Sequence, residues 1–208
     1  MLPRTLPIFP LPNAVLFPNV FLPLHIFEPR YREMVAEALA GDRLIGMTLL
    51  RPGWREGYEG RPPVYQTGCA GLITHADRLP DGRFNIVLRG LARFRITGEE
   101  AGRSFRVANI DPLADVLSEA DRARLSDDRH RLEALLVSVL EGGDARFPVA
   151  MPDEDLVNAL AQYLPFEPIE RQALLEKPDA LARCRSLIDL LEMRAITASR
   201  PWGSGATH

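Results

Sequence analysis

Lysine is almost missing from this chain: Lys177 is the only one, against 24 arginines in 208 residues. With no glycines ahead of Lys177, a Gly-x-x-x-x-Gly-Lys phosphate loop is excluded, and nucleotide hydrolysis of that type goes with it. Cysteine is nearly as scarce. Cys69 and Cys184 stand 115 positions apart with no Cys-x-x-Cys pair, which is no disulfide framework and points to reduced thiols. The histidines His25, His75, His130 and His208 are scattered, none at zinc-ligand spacing from another His or a Cys, so no metal and no cofactor is expected. No apolar run approaches the roughly 18 residues of a spanning helix. The opening MLPRTLPIFPLP carries proline where a signal peptide needs an unbroken apolar helix. A cytoplasmic protein with no membrane partner is expected. An excess of one charge is lacking too: the formal net charge is −3, so no overall field draws the chain to nucleic acid.

Catalytic signatures are likewise wanting. There is no Gly-x-Ser-x-Gly elbow and no His-Glu-x-x-His; Gly203-Ser204-Gly205 lies in a polar tail. Cys69 and His75 form a conceivable nucleophile and base, but Cys69 sits among small residues at a strand start and is expected in the core. His25, inside an apolar run, is expected to be partly buried and hydrogen-bonded. Asp153, Glu154 and Asp155 resemble a metal triplet, yet they open a helix whose dipole already accounts for them. No catalytic residue is assigned.

What is present changes character near Pro112. The first part is rich in glycine, proline and short β-branched or aromatic runs; the second carries leucine and alanine at helical spacing. The halves 1–115 and 116–208 carry +2 and −5. In the first, LPIFPL and VFLPLHIF are strands whose prolines suit edges or bends. Pro29 then starts a helix with Tyr31, Met34, Val35, Ala38 and Leu39 on one face and Gly41 at its end. LIGMTLL (44–50) is a buried strand. Past Gly68 come GCAGLITHADRL, the turn Pro80-Asp81-Gly82, and three alternating segments, RFNIVLRG, LARFRITG and SFRVANID, separated by Gly90, Gly98 and Gly102. A sheet of this size with one helix hides its apolar face by curling into a small barrel.

The second half divides into four helices. Ser118 and Asp121 box the first, which buries Leu125, Leu132, Leu135, Leu136, Val139 and Leu140 and stops at Gly142-Gly143. Pro152 opens the second, with Leu156, Val157, Leu160 and Leu164 inward, ended by Pro165. The third spans about 168–176, and the fourth, from Asp179, buries Leu181, Cys184, Ile188 and Leu191. The expected architecture is α+β: residues 1–115 a small β-barrel with one helix, 116–200 a helical bundle, and 201–208 a flexible tail.

Two surfaces stand out. Residues 51–66, RPGWREGYEGRPPVYQ, form a long loop that sets Trp54, Tyr58 and Tyr65 among Arg51, Arg55 and Arg61, the composition of protein-binding hot spots. Either the rings are exposed for a partner or they fold back onto the barrel. Separately, Arg83, Arg89, Arg93, Arg95, Arg103 and Arg106 crowd into residues 83–106. They form a basic stripe for phosphates or a solvated face whose aliphatic stems cover the wall. No aromatic is interleaved there to stack bases.

Several of these residues also carry a resemblance. LPIFPLPNAVLFPNVFLPLHIFEPRYREMVAEAL and GCAGLITHADRLPDGRFNIVLRGLARFRI resemble the amino-terminal substrate-binding domain of Lon proteases, a domain shared with the cereblon family. The marks are Leu6-Pro7, Pro10-Leu11, Phe17-Pro18, Pro23-Leu24, the Glu28 to Tyr31 helix start, Gly71 with Ile73, Asp81-Gly82, and Gly90 followed by Arg93 and Ile96. LPFEPIERQALLEKPDALARCRSLIDLL continues it through Leu164-Pro165, Gln172, Leu175-Glu176 and Arg183, so residues 6–193 are covered. The resemblance implies a PUA-like barrel followed by a helical bundle, and recognition of unfolded or tagged polypeptides beside a protease or chaperone system. With the sequence ending at His208, it implies a stand-alone binding protein without Lon's ATPase or peptidase activity. Trp54, Arg55, Tyr58 and Tyr65 are the expected polypeptide contacts. The alternative is nucleic-acid binding through Arg83, Arg89, Arg93 and Arg95 on the barrel, which the acidic second half opposes.

Overall fold

A computed structural model describes residues 2–58, 60–139 and 151–198. The expected helix stop at Gly142-Gly143, the burial of Val139 and Leu140 and the 201–208 tail lie outside the described residues. The chain divides into two compact units, residues 1–115 with 158–176, and residues 116–157 with 177–208.

The first unit is built on a six-stranded sheet in the order β2-β5-β4-β3-β1-β6. Its strands are β1 (Thr5–Leu11), β2 (Phe21–Ile26), β3 (Leu44–Leu49), β4 (Thr67–Arg78), β5 (Phe84–Glu100) and β6 (Arg106–Leu113). A further pairing of β6 with β5 closes β5-β4-β3-β1-β6 into a ring, the barrel expected from the sequence. All partners are antiparallel except β1 and β3. Leu6, Ile8, Ala70, Phe94, Ala108 and Ile110 pack together inside, contributed by β1, β4, β5 and β6 in turn. Helix α1 (Pro29–Ala40) has Pro29 in its first turn, where the missing N–H costs nothing. It buries Tyr31, Met34, Val35 and Ala38, and its Gly41 cap donates to Glu37 and Ala38.

The prolines of the opening strands occupy places where one side of the strand is open. β1 pairs with β6 over Thr5 to Ile8 and with β3 over Ile8 to Leu11, so Pro7 and Pro10 each lie in a singly paired stretch. β2 pairs only with β5 and carries Pro23 at the sheet's end.

The segments RFNIVLRG and LARFRITG are not separate strands. They are one 17-residue strand, β5, in which the expected separators Gly90 and Gly98 lie at register irregularities instead of turns. Gly90 is required by a close approach: a Cβ there would stand 2.0 Å from the Phe17 carbonyl oxygen. The backbone of residues 17–20 is held against it by Asn19 N to Gly90 O and Gly90 N to Val20 O, both 2.9 Å. Gly82, at φ +83°, and Gly102, at φ +96°, mark true turns, the first between β4 and β5 and the second between β5 and β6.

Residues 158–176 group with the strands, and the reason is backbone satisfaction. The irregular stretch 12–20 is buried at Val15, Leu16, Phe17 and Val20, so its polar groups need partners other than water. Buried amide side chains supply them: Phe17 N donates to Gln162 Oε1 at 3.0 Å, and Asn158 Nδ2 donates to Pro18 O at 3.1 Å. Gln162 Nε2 and the Tyr163 hydroxyl both donate to Phe21 O, at 3.1 and 2.8 Å. On helix α4 (Pro168–Leu175), which follows α3 (Asp153–Tyr163), Gln172 Nε2 donates to Thr67 O at 3.0 Å. The expectation that all four helices pack together as one bundle therefore gives way to a division in which α4 and the end of α3 go with the barrel.

In the second unit α2 (Glu119–Val139) packs on α5 (Ala180–Ala198). Asp121 N donates to Ser118 Oγ at 3.1 Å, the expected cap. Leu125, Leu132, Leu136, Leu181, Cys184, Ile188 and Leu191 are buried as their spacing foretells, whereas Leu135 is only half-buried. Arg131–Glu192 at 2.5 Å and Arg185–Asp128 at 2.9 Å bridge the two helices.

Gly90→Ala forces a methyl group into the Phe17 carbonyl. We expect it to lower stability by at least about 2 kcal/mol in chemical denaturation; an unchanged midpoint would mean that residues 17–20 do not lie against β5.

Candidate functional site

The loop from Arg51 to Gln66 is not structureless. Trp54–Gly57 form one turn of 3₁₀ helix, Leu50 bridges to Val64, and Pro62 is buried. Having little secondary structure of its own, the loop needs donors for its carbonyls, and arginines supply them. Arg30 Nη1 donates to Tyr58 O at 3.3 Å, and Arg106 Nη1 to Pro62 O at 2.7 Å. Arg61 Nη1 reaches back to Glu100 O at 2.9 Å, at the end of β5.

Glu28, the residue before α1, organises the near end. Its carboxylate accepts Arg30 Nη2 at 2.9 Å and the Tyr58 hydroxyl at 2.5 Å. Arg30 lies over the rings of Tyr31 and Tyr58, 4.7 and 4.8 Å from their centroids. Burial opposes the Arg30 charge, but Tyr31 and Glu28 outweigh it and hold its pKa above the ordinary value. Burial also raises the Tyr58 phenol, and the hydrogen bond to Glu28 raises it further.

Of the four expected polypeptide contacts, Tyr58 is fixed to the body of the domain by its side chain and Tyr65 by its backbone, whose N donates to Leu49 O of β3 at 2.9 Å. Trp54 meets it edge-on, with centroids 5.4 Å apart, and the exposed Arg55 lies over the Trp54 ring at 5.6 Å. Tyr65 lies beneath Arg51 at 5.3 Å. All three rings are half-buried, between the two arrangements the sequence left open.

Two depressions flank this loop and share Tyr58, Gly60, Arg61 and Pro62. The outer one, about 590 Å³, runs along the loop and includes Arg55 and Pro63. The inner one, about 280 Å³, reaches Arg30 and Tyr31 of α1, Leu50, and the turn from Arg103 to Arg106 between β5 and β6. Arg103 is ion-paired with Glu37, and Ser104 Oγ donates to Glu33 Oε2 at 2.6 Å, so α1 pins that turn in place. Trp54 and Tyr65 line neither depression.

The arginines of the alternative nucleic-acid face are not one face. Arg93 is 3% exposed, paired with Asp115, and donates through Nη1 to Leu175 O at 2.9 Å. It is an internal tie to α4 and no surface residue. Arg83 turns to Asp81 and His25, Arg89 to Asn19, while Arg95 is exposed. His25 is itself exposed, with Nδ1 2.7 Å from Asn85 Oδ1, where partial burial was expected. The reading of these arginines as a nucleic-acid surface has no support in the structure or in the relatives described below.

Nucleophile chemistry finds little footing. Cys69 is fully buried while His75 is exposed. Burial and the nearby Asp128 push the Cys184 thiol up to about 12, so it stays protonated. Asp153 is taken by Arg129 at 2.7 Å and Glu154 by Arg122 at 2.9 Å. Among the described residues no group of three or more His, Cys, Asp or Glu is placed to hold a metal, and no helix is long and apolar enough to cross a membrane.

A closed barrel with one packed helix, continued by helices, is the fold of bacterial Lon amino-terminal domains. The N-terminal domain of the Mycobacterium avium complex Lon protease superposes with a TM-score of 0.71 at 17% identity, covering 91% of this chain and 98% of that one. A Lon N-terminal domain protein from Xanthomonas campestris gives 0.59 at 23% identity, covering 95% and 99%. Residues 5–193 match the sequence profile of the ATP-dependent protease La (LON) substrate-binding domain, and the chain belongs to that family. The Lon protease of Roseiflexus castenholzii is 30% identical over 206 residues, and that of Cytophaga hutchinsonii 27% over 208. These matches span 92% and 91% of this chain but 24% of each relative's length. The matched region is thus the non-catalytic substrate-binding domain, homologous to the amino-terminal part of Lon alone.

The Glu28 bond makes a prediction about alkaline pH. Because the folded protein holds the Tyr58 proton more tightly than the unfolded chain, this contribution to stability is intact below the ordinary tyrosine value of 10.0 and is lost as pH rises through the higher folded value. In a spectrophotometric titration, the component missing from Tyr58→Phe should titrate above pH 10.0; a component at or below that value would contradict the bond.

Proposed function

We propose that this chain is a receptor for exposed polypeptide segments, holding them along the loop 54–65 and breaking no bond itself. One observation carries the reading. The two depressions adjoin through Tyr58, Gly60, Arg61 and Pro62, and apart from Glu56 their walls are rings, prolines, small residues and arginine stems, beside Tyr58 and Pro62 carbonyls that are already bonded. Walls of that kind grip apolar side chains with little discrimination, which suits a receptor for many sequences. Family membership supports it, since the profile matched is named for substrate binding. Tyr58 and Arg55 contact the bound segment directly. Trp54 acts by bracing Tyr58, which it meets edge-on, and Tyr65, which lines neither depression, meets only a segment that runs past them. A protease or chaperone system would receive what is held.

Fluorescence anisotropy with a labelled, permanently unfolded model polypeptide tests this. The intact chain should bind it and ignore the same protein in its native form. Trp54→Ala/Tyr58→Ala should weaken binding about tenfold while unfolding stays cooperative, at a midpoint lowered by loss of the Tyr58–Glu28 bond. Undiminished binding would move the site elsewhere. Nucleotide turnover or peptide scission by the purified chain, abolished by a point substitution within it, would overturn the non-catalytic reading.

A further inference from the structure

The inner depression differs from the outer one in charge. Arg30, Arg61, Arg103 and Arg106 all line it, and among the described lining residues there is no carboxylate. The acids that neutralise these arginines, Glu28, Glu37 and Glu99, are not among its lining residues.

The four guanidinium groups are not equivalent. Arg30 and Arg106 are 20% and 11% exposed, and their donors are spent on Glu28 with Tyr58 O and on Glu99 with Pro62 O. They are wall. Arg61 and Arg103 are 41% and 48% exposed. Each uses only Nη1, Arg61 on Glu100 O with Glu99 Oε2 farther off at 3.7 Å, and Arg103 on Glu37. A guanidinium presents five N–H donors in a planar fork, so each retains Nε and Nη2 for a guest. Around these donors the same depression offers Pro10, Tyr31, Leu50, Tyr58 and Phe105. It therefore combines an anion clamp with an apolar wall, in a volume of about 280 Å³ that is near the lower end of ligand pockets, roughly 300–1,000 Å³.

We propose that this depression receives the free carboxyl terminus of a bound polypeptide, with Arg61 and Arg103 clamping the carboxylate and the last side chain, an apolar one, set against Tyr31, Tyr58 and Phe105. The inference rests on the polypeptide-receptor reading and adds which part of the guest enters first. A chain end brings charge and side chain into one small space. An internal aspartate or glutamate would have to bring the chain in and out again, and its short stem leaves the apolar wall uncovered. The remainder of the guest then runs past Tyr58 into the outer depression beside Arg55.

The test uses short, unstructured peptides labelled at the amino terminus and ending in leucine or phenylalanine, each made as the free acid and as the carboxamide. A third, amidated peptide carries an internal glutamate instead. By anisotropy at low salt, the free acid should bind at least about tenfold more tightly than either amidated peptide, and added salt should shrink the gap. Arg61→Ala/Arg103→Ala should bring the acid and the amide to the same affinity, whatever loss the two share; a preference for the acid that survives in this variant overturns the clamp. Arg61→Lys/Arg103→Lys should restore only part of it, because an ammonium lacks the bidentate fork. Equal binding of acid and amide overturns this proposal and leaves the receptor reading standing, as does preference for the internal glutamate. Failure of every peptide to bind overturns both.

Discussion

A single strand has to serve three neighbours. β5 gives its first half to β2 and β4 and its second half to β4 and β6, and without that second pairing the ring is an open sheet. Such length is possible only because glycines let the strand bend where its partners change. Ile96/Gly98 shifts the β6 register, and Gly90 admits the backbone of residues 17–20 against the strand. The consequence reaches the candidate site, since the end of β5 and the turn that follows it carry Glu100, Arg103 and Ser104 to α1 and to the loop at Arg61.

Arginine is the fastening of this molecule. Arg30, Arg61 and Arg106 each donate to a main-chain carbonyl in or beside the loop, Arg93 does so for α4, and Arg129 for Met151. Each simultaneously meets a carboxylate. A planar fork can reach both a carboxylate and a carbonyl at once, which a lysine ammonium does with less geometric definition. The scarcity of lysine is therefore matched in the structure by guanidinium ties at the loop 51–66, at the end of β5, at α4 and at Met151.

How much of this was legible beforehand depended on range. The α1 face and the faces of α2 and α5 follow from periodicity, β3 from its apolar run, and the Lon-like domain from its motifs. Gly90 and Gly98 were misplaced as separators because a glycine in a strand pattern marks either a turn or a bulge, and the atom that decides, the Phe17 carbonyl, lies far away in sequence. Arg93 alternates with Phe94 like a surface residue, yet α4 covers that part of the sheet, so both faces are buried there. The loop's rings and Arg55 were visible from composition. The partners that make a pocket of them were not: Arg30 and Tyr31 read only as helix, and Arg103 and Arg106 only as part of a basic stripe. Nothing local in the sequence announces that helix start, loop and turn converge.

The terminal strand β2 has one more consequence. Its outward edge holds a proline, Pro23, and the Phe21 carbonyl on it is already engaged by Gln162 and Tyr163. A second copy, or a misfolded guest seeking a template, finds there no unbroken row of amides with which to zip up. A chain serving the proposed role among sticky segments would in this way be guarded against becoming the seed of their fibres.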